Sequence, residues 1–85
     1  MVIEKYEASW CHSCQQLKPI MEEIGQRYDD VDVVTIDVEN DPDKATNNNV
    51  KGLPTLIFKD AGNELKRITG LKDKQEYINT IEELK

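Results

Sequence analysis

The chain has 85 residues, a net charge of −6 and a hydrophobic fraction of 38%. That length leaves room for one domain, and a domain this small buries only about 60–65% of its unfolded surface, which excludes a large cofactor enclosed by the core. The acidic balance disfavours nucleic acid or anionic lipid as a partner, and no stretch approaches the roughly 18 apolar residues of a membrane span.

The segment Val2 to Ala8 reads as a strand through Val2, Ile3, Tyr6 and Ala8, with Glu4, Lys5 and Glu7 unusual for a central position. Met1 to Lys5 shows no basic stretch followed by a long apolar one, so no secretory signal and a reducing cytoplasmic compartment are expected. Ser9-Trp10 links to a helix from about His12 to Tyr28, with Ser9 or Cys11 near its N-cap. Leu17, Ile20, Met21, Ile24 and Tyr28 follow helical spacing, and Pro19 is expected to kink the helix one turn past the cysteines. Val31 to Val38 carries β-branched residues on both faces, as an interior parallel strand does. Two parallel strands joined by a helix make a right-handed βαβ unit.

Asp41-Pro42 starts a short helix, an N-cap Asp with Pro at the first helical position, and Asn49 ends it in a left-handed conformation. Gly52-Leu53-Pro54-Thr55 leads into the strand Thr55 to Phe58. Lys59 to Asn63 is a hairpin turn, and Glu64 to Thr69 is the return strand with Leu65 and Ile68 as its apolar positions. Asp73 caps the last helix with Glu76 completing a capping-box-like pair, and Tyr77, Ile78, Ile81 and Leu84 form its apolar stripe. The order is βαβαββα: an α/β fold with a mixed four-stranded sheet and helices on both faces.

The only two cysteines, Cys11 and Cys14, lie at the mouth of the βαβ unit, two residues apart. In a reducing compartment such a pair is catalytic or metal-binding rather than a staple. Zinc wants four ligands, and only His12 adds a third here, so the pair reads as a dithiol redox site. Cys11, at the helix N-terminus, is expected to be the more exposed and more easily ionised thiol.

Ala8-Ser9-Trp10-Cys11-x-x-Cys14, Pro19, Gly52-Leu53-Pro54-Thr55, Gly62 in the hairpin and Gly70 after the last strand together resemble the thioredoxin family over nearly the whole chain. The chain is similar to the short thioredoxin- and glutaredoxin-like forms, without the first strand and helix of a full-length thioredoxin. The resemblance implies one thioredoxin-like domain over residues 1–85, a sheet in the order 2-1-3-4, and a cis peptide bond at Pro54 facing the cysteines. It implies reduction of protein disulfides, with Cys11 attacking and Cys14 resolving, and no cofactor beyond the redox-active disulfide. Trp10, Leu53, Pro54 and Gly70 are the implied substrate-binding residues. The implied partners are a thioredoxin-reductase-type flavoenzyme and disulfide-bearing proteins such as ribonucleotide reductase or a peroxidase, met by a monomer.

Three departures stand out. His12-Ser13 replaces Gly-Pro between the cysteines, which points to a less reducing couple. Lys5 stands where thioredoxin keeps a buried Asp, and Thr35 where that Asp's Lys partner stands, so Lys5 is expected to pair with Glu7, leaving Glu7 as proton acceptor for Cys14. Gly52-Leu53-Pro54 replaces the Thr-Val-Pro of glutaredoxins, and Gly70-Leu71-Lys72-Asp73 only half resembles their Gly-Gly-x-Asp corner. A glutathione-coupled reductase is therefore the second reading, a non-catalytic interaction module the third, and a metal or iron–sulfur carrier the last.

Overall fold

A computed structural model describes residues 1–85. The elements follow the expected order: β1 (Val2–Glu7), α1 (His12–Arg27), β2 (Asp32–Asp37), α2 (Pro42–Asn47), β3 (Thr55–Asp60), β4 (Asn63–Thr69) and α3 (Lys74–Leu84). The sheet runs β2-β1-β3-β4. β1 pairs in parallel with β2 and antiparallel with β3, and β3 pairs antiparallel with β4.

Side-chain alternation along β1 sorts the core into two layers. Ile3 faces Leu17, Met21 and Ile24 of α1 and Tyr77, Ile78 and Ile81 of α3, together with Leu56 and Phe58 of β3. Tyr6 points the other way, with Ile36, Ile57 and Ala45 of α2. α1 runs as one helix through Pro19. The proline nitrogen cannot bond the Gln15 carbonyl, yet Leu17, Met21 and Ile24 on either side of it are all buried.

The charged residues of the central strand are buried with partners. Glu4 accepts from the Tyr6 hydroxyl at 3.0 Å and meets Lys59 at 3.4 Å and Lys44 at 3.8 Å. The hairpin turn is Ala61-Gly62, both at positive φ, between the paired residues Asp60 and Asn63. Such a two-residue turn matches strand twist only with left-handed backbone, which Gly62 adopts freely.

Three expectations are corrected. β2 is an edge strand, not an interior one, and Val34 is 45% exposed. A β-branched run reads the same whether or not its outer face is covered, and of the β2 residues only Ile36 belongs to the buried cluster that includes Ala45 of α2. Leu65 is 44% exposed because Phe58 pairs with Lys66 and Lys59 with Glu64, which leaves Leu65 as the extra residue of a bulge. Asp73 is the N-cap of α3 without a side-chain bond; the Glu76 amide donates to the Asp73 carbonyl instead, at 3.0 Å.

The tyrosines set an alkaline limit on stability. Burial, and next the bond to the Glu4 carboxylate, hold the Tyr6 phenol far above its ordinary range. Burial also raises Tyr77. In the unfolded chain these phenols ionise near pH 10, while in the fold they keep their protons, so above that pH the unfolded state binds fewer protons and stability falls as pH rises. For Tyr6 the slope reaches about 1.4 kcal/mol per pH unit, and Tyr77 adds in the same direction. Urea midpoints taken between about pH 9 and pH 11 should decline, and Tyr6→Phe should flatten the decline while lowering the neutral-pH midpoint; an equally steep decline in that variant rules Tyr6 out as a cause.

Candidate active site

β1 ends at Glu7, and Ala8, Ser9 and Trp10 carry the chain to α1. The Cys11 amide donates to the Ala8 carbonyl at 3.1 Å, closing a tight turn. Cys11 is the N-cap of α1, in extended backbone, and its Sγ accepts from the Cys14 amide at 3.2 Å. Ser9 does not take that place: its hydroxyl and amide both bond Glu39. Cys11 and Cys14 are joined as a disulfide, one helical turn apart. Cys11 is 7% exposed and Cys14 2% exposed, so Cys11 is the less buried of the pair. The first turn of α1 carries no acidic residue, so nothing there opposes negative charge at the helix N-terminus.

Facing the disulfide is the segment before β3. The Leu53–Pro54 peptide bond is cis, as the resemblance implied. The Pro54 carbonyl accepts from the Gly70 amide at 2.8 Å, and Gly70 has φ +91, a conformation that suits glycine. The Thr55 hydroxyl donates to the Gly52 carbonyl at 2.6 Å. A methyl group added at Gly52 would meet Thr69 Cγ2 at 2.9 Å, so glycine lets the two segments approach. Pro54 itself is fully buried, and Leu53 reaches the cluster formed by Ala8, Cys11 and Cys14.

Trp10 is 70% exposed and is not a core residue. With Cys11 and Leu53 it lines a cleft of about 410 Å³, whose other lining residues include Val38, Pro42, Ala45 and Val50. His12, the first residue of α1, is exposed, and Ser13 is half-buried. Lys5 is 5% exposed and its ammonium lies 3.2 Å from the Glu7 carboxylate, the pairing expected from their spacing. Thr35 stands opposite Lys5 on β2. A second cavity, about 360 Å³, lies behind them and is lined by Lys5, Lys18, Met21, Glu22 and Thr35 among others. Glu7 lies two residues further along β1 than Lys5, next to Ala8, which packs on both cysteines.

The structure thus brings Cys11, Trp10 and Leu53 together at one cleft, with Cys14 buried and bonded to Cys11. Pro54 and Gly70 buttress it from below, and Lys5 with Glu7 lies on the α1 face of the sheet. The sequence reading did not place Val38, Pro42, Ala45 and Val50 in this cleft. Asp41-Pro42 announced a helix start, and its side chain and proline do serve that end, with Asp41 accepting from the Lys44 amide at 3.3 Å. Nothing local to that stretch says that it faces Trp10.

A Cys-x-x-Cys disulfide at a helix N-terminus, beside a cis-proline on a four-stranded mixed sheet, is the site of a thiol–disulfide oxidoreductase. The thioredoxin family model matches residues 1–83, and the chain belongs to the thioredoxin family. It is 35% identical over 72 residues to thioredoxin H2 of Arabidopsis thaliana, a match spanning 85% of this chain and 54% of that protein, about half the relative's length. It is 33% identical over 81 residues to thioredoxin of Chlamydia trachomatis, spanning 95% of this chain and 79% of the relative. A mutant thioredoxin of Halobacterium salinarum superposes with a TM-score of 0.91 at 32% identity, over 96% of this chain and 72% of that one.

Proposed function

We propose that the protein reduces disulfides in other proteins, with Cys11 as the attacking thiol and Cys14 as the resolving one. The observation that carries this reading is that Cys11 lines the cleft with Trp10 and Leu53, while Cys14 does not and is the more buried residue. A reductase delivers two electrons and two protons to the Cys11–Cys14 disulfide. The Cys11 thiolate then attacks one sulfur of a substrate disulfide, forming a mixed disulfide and expelling a substrate thiolate, which takes up a proton. Cys14 gives up its proton and attacks Cys11 Sγ. The Cys11–Cys14 bond re-forms, and the second substrate thiol leaves with its proton. Two electrons and two protons pass to the substrate in all.

The family implies disulfide-bearing proteins and a reductase as partners. The finer reading is a thioredoxin-reductase-type flavoenzyme as electron source, with ribonucleotide reductase or a peroxidase among the targets. Trp10 and Leu53 offer an apolar surface to the segment around the substrate disulfide, while Pro54 and Gly70 hold Leu53 in place. No helix is long and apolar enough to cross a membrane.

Insulin reduction distinguishes the electron sources. Turnover with NADPH and thioredoxin reductase, and none with NADPH, glutathione and its reductase, is expected; the reverse pattern overturns the proposal in favour of a glutathione-coupled enzyme. Cys14→Ser should accumulate the mixed disulfide with insulin through Cys11, visible by mass spectrometry, whereas Cys11→Ser should trap none.

Glu7 is the proposed acceptor for the Cys14 proton, its carboxylate lying 3.2 Å from the Lys5 ammonium. Glu7→Gln should slow the resolving step and move the pH profile of reduction. A superimposable profile in that variant removes Glu7 from the proton path.

His12 and Ser13 are proposed to tune the couple. A protonated imidazole next to Cys11 favours the thiolate, and a turn without proline is freer to relax when the disulfide opens, so both favour the reduced form. Redox equilibration of His12→Gly and Ser13→Pro variants against glutathione should give more reducing potentials than the parent. Identical potentials would dispose of the idea.

A further inference from the structure

One contact joins the active-site loop to the turn that follows β2. Ser9 Oγ donates to Glu39 Oε1 at 2.9 Å, and the Ser9 backbone amide donates to the same oxygen at 3.3 Å. Glu39 itself sits on a fixed turn. Its amide donates to Asp37 Oδ1 at 2.9 Å, and the Asn40 and Asp41 amides both donate to the Asp37 carbonyl, at 3.1 and 2.9 Å. The residues on either side of this contact are cleft residues: Trp10 and Cys11 follow Ser9, while Val38 precedes and Pro42 follows Glu39.

Trp10 is 70% exposed, so burial does little to hold its ring. Its backbone is anchored on one side by the Cys11–Ala8 hydrogen bond and on the other by the Ser9–Glu39 contact. A carboxylate accepting from two donors at one oxygen makes charge-assisted bonds, stronger than neutral ones.

We infer that Glu39 and Ser9 form a latch that ties the backbone before Trp10 to the turn after β2, and so sets how tightly a protein disulfide is held in the cleft. Glu39 is a positioning residue: it acts through Ser9 on Trp10, and it does not exchange electrons or protons with the sulfurs. The inference rests on the proposal that substrates dock in this cleft. Both latch side chains are exposed, so their loss leaves the core intact and the variants are expected to fold.

The test uses the full chain and its one tryptophan. Fluorescence anisotropy decay of Trp10 in the oxidised protein reads the latch without any substrate. Glu39→Ala should lower the order of the ring, Ser9→Ala should do so less because the backbone amide bond survives, and Ser9→Thr should restore the parent value. With insulin as substrate, Glu39→Ala should raise KM about three- to tenfold, as expected for losing a charge-assisted bond at the surface, with kcat changed less than about twofold. The Ser9→Ala/Glu39→Ala double variant should be no worse than Glu39→Ala alone. Unchanged Trp10 anisotropy in Glu39→Ala overturns the latch, and so does a freed Trp10 with an unchanged KM, or a Ser9→Thr variant that behaves like Ser9→Ala. A parent protein that fails to reduce insulin would count against the proposed reductase function instead, while the anisotropy series still decides whether the latch exists.

Discussion

β1 is hydrogen-bonded on both sides, to β2 along one edge and to β3 along the other. Every part of the site is positioned from its C-terminal end. The strand delivers Ala8 into the interior, the turn closed by the Cys11–Ala8 bond reverses the chain into α1, and β3 begins beside it at the cis-proline segment. A strand clamped in this way cannot slide by one residue without sending Ile3 and Tyr6 to the wrong faces of the sheet. The position of Cys11 relative to Leu53 is therefore inherited from sheet register rather than from loop packing.

That central position makes the charges within β1 expensive, and the fold answers on each face separately. On the α2 face Glu4 gathers the Tyr6 hydroxyl and the ammonium groups of Lys59 and Lys44. On the α1 face Lys5 has Glu7. A buried charge stripped of its partner costs several kcal/mol, so Lys5 and Glu7 constrain one another as a structural unit before any chemistry is asked of them. If Glu7 also takes a proton during turnover, Lys5 is what keeps a carboxylate tolerable so close to the buried end of the sheet.

Much of this was legible in the residues because the signals were local. The Cys-x-x-Cys spacing, the Asp41-Pro42 helix start, the Tyr77, Ile78 and Ile81 stripe and the hairpin at Gly62 each depend on a few neighbouring positions. What escaped depends on distant ones. Val34 looked like core because β-propensity does not say which elements cover a strand. Leu65 was read as an apolar position of β4, and nothing local marks it as the extra residue of a bulge. Asp73 and Glu76 had the spacing of a capping box, but the amide concerned was already bonded to a main-chain carbonyl. The partnership of Ser9 with Glu39 spans thirty positions of sequence and leaves no periodic trace, since an exposed Glu after a strand is an ordinary solvated residue in most chains.

The Cys11–Cys14 contact shows how closely folding and chemistry are joined here. Helices prefer Ser, Thr, Asp or Asn at the N-cap, because an oxygen there accepts from a free amide of the first turn. In α1 that acceptor is the Cys11 sulfur, bonded by the amide of Cys14. When Cys11 is reduced and ionised, the same amide faces a full negative charge, and a hydrogen bond to a charged acceptor is the stronger kind. The helix macrodipole adds in the same sense. The interaction that starts α1 is thus the one that favours the thiolate. A replacement at position 11 by a better neutral cap would keep the helix and lose the thiol proposed as nucleophile.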